Sequence, residues 1–111
     1  MIRHKGRYWI GTSGWNYAHW SGAFYPHGMK PAAWFQHYAT AFDTVELNNT
    51  FYRLPSPHVF ARWGQEAPAG FCFAVKASRF ITHVKRLLEP ERSAAEFLKR
   101  AAELKGKLGP I

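Results

Sequence analysis

The stretch Pro31-Ala-Ala-Trp-Phe-Gln-His-Tyr-Ala-Thr-Ala-Phe-Asp-Thr-Val-Glu-Leu-Asn48 runs a helix signal straight into a strand signal, and that junction decides the fold. Pro suits the first helical position, because the N–H it lacks is one that a helix start leaves unpaired anyway. Trp34, Tyr38 and Phe42 then recur at every fourth residue, and Phe35 and Ala39 widen the same apolar stripe, so the spacing predicts a helix over residues 31–42. From Asp43 to Asn48 the period changes to two. Val45 and Leu47 share one face, and Thr44, Glu46 and Asn48 share the other, as in a strand.

The same alternation extends both ways along the chain. Tyr8-Trp-Ile-Gly-Thr12 is a short β-prone segment. Ser56 can cap a second helix that has Pro57 at its start and Val59, Phe60 and Trp63 as its apolar stripe. Phe71-Cys-Phe-Ala-Val-Lys76 is nearly all apolar, which fits a strand covered on both faces. A third helix is predicted over Glu91–Lys105, with Phe97, Leu98, Ala101 and Leu104 on one side, an i, i+4 pair in Glu96 and Arg100, and Gly106 as a terminator. Leu108-Gly-Pro-Ile111 reads as the approach to a fourth strand. The order β-α-β-α-β-α argues for an α/β fold with parallel strands joined by right-handed crossovers.

The connections are unequal. Helix-to-strand links are short, but the strand-to-helix links Ser13–Lys30, Asn49–Ser56 and Ala77–Pro90 are long, and long loops in α/β units are usually functional or disordered. Trp15, Tyr17, Trp20, Phe24, Tyr25, Phe51, Tyr52 and Phe80 lie in them, which argues for ordered surfaces. All three would emerge at the C-terminal ends of the strands, the face on which α/β folds build their sites.

Composition sets the outer bounds. At 111 residues, 47% hydrophobic and 20% charged, the sequence fits one packed domain over residues 1–111. Cys72 is the only cysteine, so an intrachain disulfide is excluded and a reducing, cytoplasmic setting is expected. The basic start Met1-Ile-Arg-His-Lys-Gly-Arg7 lacks the apolar run of a signal peptide. No stretch approaches the roughly 20 apolar residues of a membrane span. Fifteen Lys and Arg against seven Asp and Glu give a formal charge of +8; such an excess favours nucleic acid or small anionic ligands as partners, and is equally the mark of a generic basic surface.

Several segments resemble the YecE-like family, a domain of unknown function (DUF 72). They are Ile10-Gly-Thr-Ser-Gly-Trp15, Gly22-Ala-Phe-Tyr-Pro26, Phe42-Asp-Thr-Val-Glu-Leu-Asn-Asn-Thr-Phe-Tyr-Arg-Leu-Pro55 and Phe73-Ala-Val-Lys-Ala-Ser-Arg-Phe-Ile-Thr-His83. The resemblance implies a (β/α) TIM-type barrel and supplies no reaction. A complete barrel of that type takes about 200–250 residues or more, so the chain reads as a truncated front part of three βα units. Three parallel strands would leave an open sheet edge through which oligomers can form, and a fragment of this kind can be marginal or inert.

Candidate chemistry gathers at the strand ends. Glu46 and Asn48 on one strand face and Lys76 at the end of the next would bring a carboxylate, an amide and an ammonium together. Such a group can bind a phosphate or carboxylate, or perform acid–base work; alternatively Glu46 and Lys76 merely satisfy each other as a buried ion pair. Glu46 and His83 are the candidate catalytic residues, with Lys76 and Arg79 as anion clamps. From Lys76 to Arg86 there are four Lys or Arg, one His and no acid, beside Phe80, a pattern that suits a phosphate backbone or a solvated loop. His83 is open to roles as a base, a metal ligand or a structural histidine. Ser13, in the tight Gly11-Thr-Ser-Gly14 turn, is a candidate anion contact, and Trp15 and Tyr52 complete the candidate ligand set; Trp15, Tyr17 and Trp20 can equally pack their loop onto the rim. There is no H-E-x-x-H and no paired Cys, and His4, His19, His27, His37 and His58 are scattered, so no metal is assigned. No cofactor is assigned either.

Overall fold

The computed structural model describes residues 6–111; Met1–Lys5, with His4 and most of the basic N-terminus, lie outside the described residues. Three parallel strands form one sheet in the order β1 (Thr12–Ser13), β2 (Thr44–Leu47), β3 (Cys72–Val75). Between them lie helix α1 (Trp34–Ala41), preceded by a tighter turn at Pro31–Ala33, the single turn α2 (Asn49–Tyr52), and α3 (Pro57–Glu66). After β3 come a wide turn at Phe80–Val84, α4 (Pro90–Ala101) and a 3-10 segment at Ala102–Lys107. The α/β class and the parallel sheet follow the expectation; the described strands form a three-stranded sheet, with no closed barrel among the described residues.

One sheet face is covered by the helices. The register pairs Val45 with Phe73 and Leu47 with Val75, and all four side chains are buried together with Phe35 and Tyr38 of α1, Phe60 and Trp63 of α3, and Phe97 and Ala101 of α4. The other face, carrying Ser13, Glu46, Cys72 and Ala74, is exposed or half-buried. The nearly continuous apolar run of β3 therefore does not mark a strand covered on both faces: Phe73 and Val75 pack inward, while Cys72 and Ala74 are small enough to remain on the open side.

The first strand differs most from its expectation. Tyr8 and Ile10 are 87% and 75% exposed, and pairing begins only at Thr12, opposite Val45. β-propensity needs a neighbouring strand to pack against, and among the described residues no strand pairs with Tyr8–Ile10. At Gly11 the chain passes so close to β2 that a Cβ would lie 2.2 Å from the Thr44 carbonyl oxygen, so only glycine fits there. Tyr38 then enters from α1. Its hydroxyl accepts from the Thr12 N–H at 2.9 Å and donates to the Thr44 carbonyl at 2.8 Å, standing in for the backbone link that would otherwise join the two strand starts.

Other ends are held by specific partners. Ser56 occupies the N-cap of α3 as expected, but no side-chain cap bond forms. At the far end the Lys107 ammonium donates to the Gly64 and Ala67 carbonyls, both at 2.6 Å, a cation placed where a helix C-terminus favours one. Arg100 and Glu96 pair at 2.9 Å. Leu98 is 51% exposed rather than part of the apolar side. The chain reverses at Lys105, with φ 54°, and not at Gly106. Leu108–Pro110 then lie along β3, with Gly109 N–H on the Phe73 carbonyl at 2.7 Å and Val75 N–H on the Pro110 carbonyl at 2.9 Å. They occupy part of the sheet edge expected to be bare.

The first strand-to-helix connection is ordered by its aromatics. Tyr25 stacks on Trp34 with centroids 5.0 Å apart and planes 7° from parallel, its hydroxyl donates to the Trp15 carbonyl, and it is 1% exposed. Burial, and next to it the proximity of Tyr38, pushes its phenol up from 10.0 to about 12. Two outcomes follow from these phenols. Tyr38→Phe leaves a strand-start N–H and C=O without their shared partner, and is expected to cost about 1–3 kcal/mol in urea unfolding. For Tyr25, the unfolded chain releases its proton near pH 10.0 and the folded chain only near 12, so the folded state binds more protons in that window and stability falls as pH rises. Alkaline unfolding curves should show this loss, and Tyr25→Phe should flatten it.

Candidate functional site

The ends of β2 and β3 are tied by one buried hydroxyl. Asn48 leaves the strand conformation at φ −93°, ψ −28° and starts the turn of α2, which carries Thr50 back over the sheet. Thr50 is fully buried, and its Oγ1 lies 2.9 Å from the Leu47 carbonyl oxygen and 2.5 Å from that of Lys76. The Lys76 N–H also donates to the Leu47 carbonyl at 3.1 Å. Lys76 is thereby fixed at the strand ends with its side chain exposed.

Phe51, next to Thr50, collects two candidate residues. The Lys76 ammonium lies 4.4 Å from its ring centroid, a favourable cation–π distance. The His83 ring meets the same phenyl edge-on at 5.1 Å and 90°. His83 Nδ1 is engaged by Thr82 Oγ1 at 2.7 Å, which occupies one ring nitrogen. Residues 51, 76 and 83 thus form one exposed basic and aromatic cluster. Sequence reasoning counted Phe51 only among the loop aromatics; its place beside Tyr52 in a strand-end loop was the available signal.

The remaining candidates lie apart from that cluster. Ser13 donates its hydroxyl proton to Glu46 Oε1 at 3.2 Å on the open sheet face, where both are exposed. The buried Glu46–Lys76 ion pair does not form: among the described residues the ion pairs are Arg62–Glu66 at 4.0 Å and Arg100–Glu96 at 2.9 Å. Asn48 does not share the face of Glu46 either, because its helical backbone breaks the strand's alternation. Arg79 is exposed and begins the Phe80–Val84 turn, with no side-chain hydrogen bond or ion pair among the described residues.

Trp15, Asn48 and Tyr52 meet elsewhere, lining a cleft of about 670 Å³ between the first loop, the start of α1 and α3. Trp15 packs on Phe35 at 4.8 Å and edge-on to Trp63 at 5.8 Å, so its ring secures the loop as well as walling the cleft. Tyr17 and Trp20 pack on each other at 4.9 Å. No three His, Cys, Asp or Glu side chains gather to form a metal site among the described residues. No helix there is long and apolar enough to cross a membrane.

This architecture has known counterparts. It is similar to the crystal structure of a DUF72 family protein from Thermotoga maritima, with a TM-score of 0.77 and 31% identity over 91% of this chain and 41% of that one. The UPF0759 protein YecE of Escherichia coli K12 is 35% identical over 74 residues, which is 67% of this chain and 27% of YecE. The YecE of Escherichia coli O157:H7 matches equally. The chain therefore spans well under half the length of these relatives. Residues 9–111 match the family described as "Protein of unknown function DUF72", and the chain belongs to that family.

Proposed function

We propose that residues 1–111 form one domain, an arc of a TIM-type (β/α) barrel, and that its strand-end face binds an anionic or polyhydroxylated ligand. The observation that carries this reading is the Lys76–Phe51–His83 cluster: an exposed ammonium and an exposed imidazole that each contact one phenyl ring, with no carboxylate paired to either among the described residues. In such a site Lys76 and Arg79 clamp an anion, and the Ser13–Glu46 pair on the open face holds a ligand hydroxyl. Glu46 is the acid–base group and His83 the second proton-transfer group of a hydrolase or nuclease-like reaction. Trp15, Asn48 and Tyr52 extend the contact surface toward the first loop.

A non-catalytic nucleic-acid interface is the second reading, favoured by the exposure of Lys76, Arg79 and Arg86 and by Lys85, whose ammonium lies 6.0 Å from the ring centroid of a Phe80 that is itself 48% exposed. Cationic side chains of this kind track a phosphate backbone, and an exposed aromatic offers a base a stacking surface.

Titration with glucose 6-phosphate, which joins a phosphate to a polyol, tests the first reading. Lys76→Ala and Glu46→Gln are each expected to weaken binding about fivefold. Unchanged affinity in both variants would remove the proposed site. Binding of a labelled oligonucleotide that falls steeply with salt and ignores Glu46→Gln would establish the second reading instead.

A further inference from the structure

A separate cleft of about 570 Å³ opens between the third strand-to-helix loop, α4 and the chain just after α2. We infer that this cleft is a binding site for a small amphipathic monoanion, an apolar ring or chain carrying one carboxylate. Its lining includes none of Phe51, Lys76 and His83, and it shares only Tyr52 with the cleft beside the first loop.

The walls are apolar. Tyr52, Leu54, Phe80, Ile81 and Phe97 line the cleft; Ile81 and Phe97 are buried, while Tyr52 is 62% exposed. A volume of this size, with apolar walls and few polar groups, matches small-molecule sites in general. The loop wall is held by its own backbone. The Ile81 N–H donates to the Ser78 carbonyl at 3.0 Å, that of Leu87 to Ile81 at 3.0 Å, and that of Leu88 to Lys85 at 2.8 Å. Arg86, Leu87 and Glu89 adopt left-handed backbone, with φ of 49°, 63° and 46°. None is glycine, so each residue holds a strained backbone, and strain of this kind clusters at ligand sites.

The rim fixes the charge of the ligand. Lys85, Arg92, Glu89 and Glu96 border the cleft. Glu96 is already neutralised by Arg100 at 2.9 Å. The Lys85 and Arg92 side chains have no hydrogen bond or ion pair among the described residues, and Glu89 can offset only one of them. One positive charge is left over an apolar cavity, which is the complement of a monocarboxylate with an apolar body.

The test is a titration of the ¹⁵N-labelled chain with 2-naphthoate and, in parallel, with uncharged 2-naphthamide, at about 150 mM salt so that distant charges are screened. Saturable amide shifts at Ile81, Ser93 and Phe97 are expected for both compounds, with the acid bound about fivefold more tightly. Arg92→Gln and Lys85→Gln lie on the rim and should leave 2-naphthamide binding intact while reducing the preference for the acid. No saturable shift, equal affinity for the two compounds, or a preference unchanged in both variants would overturn the inference. So would shifts centred on Lys76 and His83, although those would leave the strand-end reading standing.

Discussion

The phenol of Tyr38 is the constraint on which the arrangement depends. β1 has two residues and too few ladder bonds to hold itself against β2. The Tyr38 hydroxyl, fully buried, receives the N–H of one strand start and donates to the carbonyl of the next. A buried polar group is tolerated when it is satisfied on every side, and then it specifies geometry more sharply than an apolar contact can. Because Tyr38 belongs to α1, the same bond sets the height of the helix on the sheet. That placement brings Trp34 against Tyr25 and Phe35 against Trp15, so the first loop is anchored through the helix rather than through the strand it leaves.

Thr50 performs the corresponding task at the opposite end of the sheet. Its hydroxyl reaches the last carbonyl of β2 and that of Lys76 just after β3, so the α2 turn cannot shift without moving both strands. Phe51 follows directly, and its ring is therefore presented at a fixed height for Lys76 and His83. The Lys76–Phe51–His83 cluster thus rests on a scaffold bond one residue away, although the loop carrying His83 is itself long and exposed.

Much of this was legible in the sequence wherever a pattern is enforced by local burial. The stripe of α1, the alternation at Val45 and Leu47, the stripe of α3 and the Glu96–Arg100 pair all report a face turned toward the core or a neighbour one helical turn away. The misreadings occur where tertiary contacts override local preference. Tyr8 to Ile10 have β-prone side chains but no strand beside them. Asn48 looks like the next residue of a strand until the Thr50 bonds pull the chain into a turn. Gly106 looks like the helix terminator, yet the reversal falls on Lys105, one residue earlier, as the chain turns back toward β3. Of the candidate residues, Lys76 and His83 each contact Phe51, while Glu46 and Asn48 part company for the same reason that β2 ends where it does. Neither cleft could be read from the sequence, since each is bounded by elements far apart in the chain.

The two faces of the three-stranded sheet differ in what they can leave exposed. The body is 49 × 46 × 23 Å with a radius of gyration of 15.8 Å, where a compact chain of this length would have about 13 Å. Such a flattened shape is costly when the uncovered face is apolar. Here that face carries Ser13 and Glu46 beside the small Cys72 and Ala74, groups that lose little by staying wet. The bulky side chains Val45, Leu47, Phe73 and Val75 all point to the helical side. The position of Glu46 is therefore set by pairing of β2 with its two neighbours, and that of Lys76 by Thr50. Among the described residues, strand-end geometry thus follows from the pairing of neighbouring strands and from the Thr50 bonds that join the ends of β2 and β3.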